Sequence, residues 1–110
     1  MTVREMVSAR KVEMLGDLMP ARARAILVEF TALYGNCLAE SRQADFDYSK
    51  KLLELLDEGG PVSRAKIRAE TTPEYQRKRE ADDTTNIVLE SMRSLKKMLE
   101  SIDTEMRLAK

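Results

Sequence analysis

The chain has 110 residues, enough for one small domain whose own core buries only a modest fraction of its surface. Charged residues make up 35% of it, and only four glycines and three prolines are present, which favours long solvated helices over sheets or disorder. Nineteen basic residues balance nineteen acidic ones, so any attraction to nucleic acid or to an anionic membrane requires local clustering of charge.

The distribution of apolar residues and the number of cysteines indicate in which cellular compartment the protein is expected. Residues 1–18 mix charged and apolar side chains without an uninterrupted apolar run, so we expect no signal peptide. No later stretch approaches the length of a membrane span. The single cysteine, Cys37, has no second cysteine to pair with, in agreement with a reducing compartment. We therefore expect a cytoplasmic protein without membrane contact.

Two helices are predicted in the first half of the chain. Thr2 and Glu5 fit a capping box that begins a helix over about residues 3–15, and Gly16 ends it. The second helix, over about residues 19–58, opens with Asp17 and Pro20. Its apolar stripe, at spacings of mostly four and three, consists of Ala23, Leu27, Phe30, Tyr34, Cys37, Ser41, Ala44, Tyr48, Leu52 and Leu55.

Glycines and prolines mark the remaining boundaries. Gly35 lies inside the second helix, where glycine costs about 1 kcal/mol relative to alanine, and predicts either a kink or a close helix crossing. Gly59, Gly60 and Pro61 end this helix. Ser63 is expected to cap a short helix over about residues 64–70. Thr72 is expected to cap a long final helix over about residues 73–109.

The final helix carries a continuous apolar seam. The seam recurs at steps of four and three: Ala81, Thr85, Val88, Met92, Leu95, Leu99, Ile102, Met106 and Ala109. Two long helices joined by roughly a dozen residues predict an antiparallel hairpin, and we expect one all-α domain over residues 1–110 with the first helix covering one end. A helix on the order of 55 Å long exceeds what such a domain needs internally. We therefore predict a helical-bundle homo-oligomer that forms along Val88, Met92, Leu95, Leu99, Ile102 and Met106.

The densest charge feature is a basic segment at the start of the final helix and the connection before it. Its cations are Arg64, Lys66, Arg68, Arg77, Lys78 and Arg79, against Glu70 and Glu74. A local charge of about +4 beside free helix amides suits phosphate, and Tyr75 within the segment suits stacking on a base. The segment predicts binding of single-stranded nucleic acid. The alternative is a solvated surface paired with nearby carboxylates such as Glu80 and Asp82.

An acidic flank lies near the end of the second helix. It consists of Glu40, Asp45, Asp47, Glu54, Asp57 and Glu58, which outweigh Arg42, Lys50 and Lys51. Such a flank on one protomer and the basic segment on another would steer subunits together. The alternative is again a solvated surface.

Catalytic options are few. Without histidine, the chain lacks the usual general base near neutral pH and any His-ligated zinc site. Cys37 lies on an apolar stripe, which favours an inert buried thiol over a nucleophile. No glycine-rich phosphate loop is present. These features predict a protein that is not an enzyme and that has no cofactor and no metal.

Magnesium-dependent hydrolysis is the catalytic alternative. Glu54 with Asp57, and Glu80 with Asp83, each place two carboxylates three residues apart on a helix. This spacing resembles the magnesium site of all-α nucleotide pyrophosphatases of the MazG type. The chain departs from that pattern, because such sites have glutamate where Asp57 stands and the second pair adjoins the basic segment.

A second resemblance concerns the order of the helices and connecting segments along the chain. A leucine-rich helix end is followed by Ser63-Arg-Ala-Lys-Ile-Arg-Ala-Glu70, then Thr71-Thr-Pro-Glu-Tyr75, and a long helix containing Met92-Arg-Ser-Leu-Lys-Lys97. Over about residues 33–110 this layout resembles small phage-encoded helical proteins and is similar to the UvsY type of recombination mediator. The resemblance implies a ring-like homo-oligomer that binds single-stranded DNA and helps load a recombinase, with Arg64, Lys66 and Arg68 at matching positions. The chain departs from that family because its final helix is not rich in aromatic residues.

Two functions follow as expectations. The first is a non-enzymatic oligomeric protein of phage-type recombination that binds single-stranded nucleic acid through the basic segment and Tyr75. The second is a helical adaptor, or a phage inhibitor of a host protein, that uses the seam or the acidic flank and binds no nucleic acid.

Overall fold

The computed structural model describes residues 2–109, which form four α-helices and no strand. The helices are α1 (Val3–Met14), α2 (Pro20–Asp57), α3 (Val62–Ala69) and α4 (Pro73–Leu108). The long helices α2 and α4 pack against each other, so the predicted all-α helical hairpin is confirmed. None of the four helices carries an apolar stretch of membrane-spanning length.

Side-chain caps begin two of the helices as expected. The Thr2 hydroxyl accepts a hydrogen bond from the Glu5 amide at 3.1 Å, and the Thr72 hydroxyl accepts one from the Tyr75 amide at 3.4 Å. The predicted cap at Ser63 is wrong, because α3 begins at Val62 and Pro61 occupies the capping position. Proline has no amide hydrogen and a fixed φ, so it starts a helix without a side-chain cap.

Glycines behave differently at the end of α2 and within it. Gly59 and Gly60 adopt φ values of 89° and 94°, which only glycine reaches without strain, and they end α2. Gly35 lies within α2, which continues through it. Beyond the helix backbone around it, a Cβ atom built there would meet no atom of residues 2–109 within 4 Å, so these residues do not form the close helix crossing considered for this glycine.

The chain divides into two compact units. Unit 1 consists of residues 2–35 and 86–109, and unit 2 is the continuous segment Asn36–Thr85. The buried apolar residues of unit 1 are Val7, Ala23, Ile26, Phe30, Val88, Met92 and Leu95. Those of unit 2 are Cys37, Ala44, Leu55, Ala65, Ala69 and Ala81. Within unit 2 the buried Thr85 hydroxyl lies 3.1 Å from the Cys37 carbonyl oxygen, which joins α4 to α2.

The seam of α4 is buried along part of its length. Val88, Met92 and Leu95 belong to the core of unit 1, whereas Leu99 and Ile102 are half-buried and Met106 is 59% exposed. Arg24 and Asp103 form an ion pair at 3.8 Å, so only the first turn of α2 is left to cover the residues beyond Asp103. An oligomer along this seam stays a prediction, and a single chain already covers its first three residues.

Candidate nucleic-acid interface

Arg77 is held by two carboxylates of α2. Its Nε and Nη2 atoms donate to Glu40 Oε1 at 3.3 and 3.1 Å, and its Nη1 atom donates to Asp47 Oδ2 at 2.7 Å. The hydrogen bonds and charge of Glu40, and then those of Asp47, raise the pKa of Arg77. The guanidinium therefore joins α4 to the acidic flank of its own chain, and a phosphate has to compete with both carboxylates.

Lys78 belongs to a second polar network within unit 2. Its Nζ atom lies 3.2 Å from Asp82 Oδ2 and 3.9 Å from Asp45 Oδ1, and the Ser41 hydroxyl donates to Asp82 Oδ1. The hydrogen bond from Ser41, followed by that from Lys78, lowers the pKa of Asp82. The hydrogen bond to Asp82 raises the pKa of Lys78. The sequence indicated Asp82 as a possible partner of the basic segment, but it did not indicate the hydrogen bond from Ser41 to Asp82.

We expect Ser41→Ala to lower the free energy of unfolding by about 1 kcal/mol at neutral pH, since a hydrogen bond to a partly exposed carboxylate is lost. A carboxyl group with a lowered pKa stabilises the fold above its unfolded pKa, and that stabilisation disappears as the pH falls through the folded pKa. The difference between the variant and the wild type should therefore shrink in acid. Urea unfolding at several pH values measures it, with the exposed Ser49→Ala as control. A loss that does not change with pH would contradict this assignment.

Tyr75 lies among other side chains. Its ring centroid is 5.4 Å from that of Tyr48, with the ring planes tilted by 47°, and the Arg79 guanidinium carbon is 5.9 Å from the Tyr75 centroid. The side chain is half-buried. The Arg79 guanidinium therefore lies over the Tyr75 ring, and a base has to share this ring with Tyr48 and Arg79.

The three cations of α3 differ in their partners. Arg68 Nη1 donates to Glu58 Oε2 at 2.9 Å, and both side chains are more than half exposed. Arg64 and Lys66 are exposed and take part in no ion pair or side-chain hydrogen bond with any residue of the range 2–109. Some of the predicted cations therefore form ion pairs within the chain. Arg64 and Lys66 instead face solvent and have no counter-charge among residues 2–109.

The acidic flank pairs with the basic segment within one chain, which the sequence analysis did not predict. Glu40, Asp45, Asp47 and Glu58 pair with cations of the same chain, whereas the sequence suggested pairing between subunits. The sequence did contain a signal for pairing within one chain. The acidic flank and the basic segment have opposite charge, and they lie on helices that were predicted to fold back on each other.

A polar cleft of about 330 Å³ lies beside Arg77. It is lined by Asp47, Lys50, Lys51, Glu54, Glu74 and Arg77. The Oε2 atom of Glu74 is buried and has no hydrogen-bond partner in the part of the chain that the structure describes. The three cations and three carboxylates of the cleft cancel. The lining of the cleft therefore has no formal net charge that would attract a phosphate group.

The residues considered for catalysis are the two carboxylate pairs and Cys37. Within residues 2–109 no three histidine, cysteine or acidic side chains converge on a position for a metal ion, so the two carboxylate pairs make no magnesium cluster. Burial raises the pKa of the Cys37 thiol, which lowers the thiolate fraction that a nucleophile needs.

The chain was compared with protein families, curated proteins and solved structures. A scan against protein-family models found no match, and neither a search of curated proteins nor a search of solved structures found a similar protein.

Proposed function

We propose that this chain is a non-enzymatic protein that binds single-stranded nucleic acid through the basic side chains that its own carboxylates leave free. The observation that supports the proposal is on α3, where Arg64 and Lys66 are exposed and have no ion-pair partner among residues 2–109. Arg68 lies on the same eight-residue helix, and its ion pair with Glu58 is exposed enough to exchange for a phosphate at little cost.

The proposed interface is smaller than the sequence predicted. Arg77 and Lys78 are occupied by carboxylates, so they contribute to the stability of the hairpin more than to a ligand. Two or three phosphate contacts on a single strand give a salt dependence with a slope of about −1.4 to −2. Binding by one chain is therefore weak, and several chains on one strand are needed for tight binding.

The biological setting of the proposal is phage-type recombination, in which the chain would help load a recombinase. It is supported by the resemblance of Arg64, Lys66 and Arg68 and their surroundings to the mediators of the UvsY type. The proposal places the protein in the cytoplasm, which agrees with the single buried cysteine.

The double substitution Arg64→Glu/Lys66→Glu tests this function. We expect the affinity for a labelled single-stranded oligonucleotide to fall at least about tenfold at low salt, and the salt slope to shrink by about 1.4, because two phosphate contacts are lost. Fluorescence anisotropy measures the affinity. Circular dichroism checks that the helix content is unchanged.

Lys96→Glu/Lys97→Glu is the matched control, because both lysines are exposed and the change in net charge is the same. We expect this variant to keep most of the affinity. An equal loss in both variants would show that binding follows net charge rather than α3, and a wild-type chain that retains no oligonucleotide at low salt would reject the function.

A second candidate is the helical adaptor or phage inhibitor of a host protein. It is favoured by the apolar residues at the end of α1 and in the turn that follows. Val12, Leu15 and Met19 are 69, 83 and 73% exposed. Replacing all three by serine should abolish capture of a protein partner without changing oligonucleotide binding. Loss of oligonucleotide binding in this variant would contradict the separation of the two surfaces.

A further inference from the structure

Carboxylates of the acidic flank occupy two arginines of the basic segment. Arg68 Nη1 donates to Glu58 Oε2 at 2.9 Å. Arg77 donates three hydrogen bonds, two to Glu40 and one to Asp47. All five residues belong to unit 2, which is continuous in sequence, so these contacts lie within one compact part of the chain.

The ion pairs of both arginines are open to solvent. The side chains of Arg68, Glu58, Arg77 and Glu40 are between 47 and 58% exposed. Exposed ion pairs exchange their partners readily, because water and salt screen the attraction between the two charges. A phosphate group in solution can therefore reach both guanidinium groups and replace a carboxylate there.

A carboxylate and a phosphate use the same atoms of an arginine. The guanidinium group donates from a planar fork that matches the oxygens of either anion. The Nε and Nη2 atoms of Arg77 form one edge of this fork, and both donate to Glu40 Oε1, while its Nη1 atom donates to Asp47. The flank and a nucleic-acid strand therefore compete for the same donors.

We propose that the acidic flank is an intramolecular competitor that weakens nucleic-acid binding by the basic segment. In the free chain the flank holds Arg68 and Arg77. It leaves Arg64 and Lys66, which have no ion-pair partner among residues 2–109, as the cations that a strand meets first. The competition rests on the proposed function, since the flank can weaken only a binding that the basic segment provides.

Removing the carboxylates from Arg77 should strengthen binding for two reasons. The guanidinium becomes free for one further phosphate contact, and fewer negative charges repel the strand. Only the first of these adds a contact. The salt dependence separates the two, because each further contact with a single strand steepens its slope by about 0.7.

The double substitution Glu40→Gln/Asp47→Asn tests the competition at Arg77. We expect the affinity for a labelled single-stranded oligonucleotide to rise about fivefold or more at low salt, and the salt slope to steepen by about 0.7. Fluorescence anisotropy at several salt concentrations measures both quantities. Circular dichroism checks that the helix content is unchanged.

Asp57→Asn/Glu70→Gln is the matched control. It removes the same charges from two exposed carboxylates of unit 2 that have no ion pair within residues 2–109. We expect a smaller rise in affinity and an unchanged salt slope. An equal rise and an equal change of slope in the two variants would show that the flank acts only through net charge, and would overturn the proposal.

Arg77→Gln tests whether the gain depends on the arginine that the flank holds. In the wild-type chain this substitution should change the affinity by less than about twofold, because Glu40 and Asp47 already occupy the side chain. In the Glu40→Gln/Asp47→Asn variant it should reverse most of the gain. An equal effect of Arg77→Gln in the two backgrounds would contradict the competition.

The experiment separates the competition from the function on which it rests. Failure of the wild-type chain to bind the oligonucleotide at low salt would reject the proposed function. Binding by the wild-type chain without a gain in the Glu40→Gln/Asp47→Asn variant would overturn the competition alone.

Discussion

Replacing Phe30 with alanine is expected to lower the free energy of unfolding by about 3–5 kcal/mol. The ring is fully buried in the core of unit 1, so its removal loses the transfer free energy of the aromatic ring and leaves a cavity. Domains of this size are stable by only about 5–15 kcal/mol, so the variant should be close to unfolding at body temperature. Urea unfolding followed by circular dichroism measures the loss.

Phe46→Ala is the matched control for that experiment. Phe46 lies on the same helix but is mostly exposed, so its truncation should cost less than about 1 kcal/mol. Similar losses for both phenylalanines would show that burial in unit 1 does not determine the stability of the hairpin.

Ala69→Asp is expected to detach α3 from the hairpin. Ala69 and Ala65 are buried against Leu55, with Tyr48 and Leu52 packed around them. A carboxylate placed there without a partner costs several kcal/mol, and a helix of eight residues does not persist without its packing. Trypsin cleavage after Arg64, Lys66 and Arg68 should therefore become at least about tenfold faster.

Ile67→Asp serves as the control for detachment, because it introduces the same side chain at an exposed position of α3. We expect trypsin to cleave this variant at the wild-type rate. If both variants are cleaved equally fast, packing on the alanines does not protect α3. The pair also shows whether oligonucleotide binding needs a docked α3 or only its charges.

The helix boundaries were predictable from local chemistry. Thr2, Pro20 and Thr72 mark helix starts, and Gly59 with Gly60 marks an end, because each residue acts on the backbone at its own position. The apolar spacing likewise identified which faces of α2 and α4 meet. Ser63 was wrongly chosen as a cap, since Pro61 offered an equally local start signal two residues earlier.

The partners of the charged residues were not predictable in the same way. Periodicity shows which face of a helix is apolar, but it does not show how far two helices are shifted along each other. That shift places Glu40 and Asp47 around Arg77, and it leaves Met106 near the start of α2 with little to cover it.

The division of the chain has a consequence for the order in which the hairpin assembles. Unit 2 is continuous in sequence, whereas the two segments of unit 1 are separated by about 50 residues. Joining those segments first would require closing that long loop in a disordered state, at a conformational-entropy cost that a formed unit 2 removes. Physical connectivity therefore favours nucleation near the turn that contains Gly59 and Gly60, followed by zipping towards the chain ends.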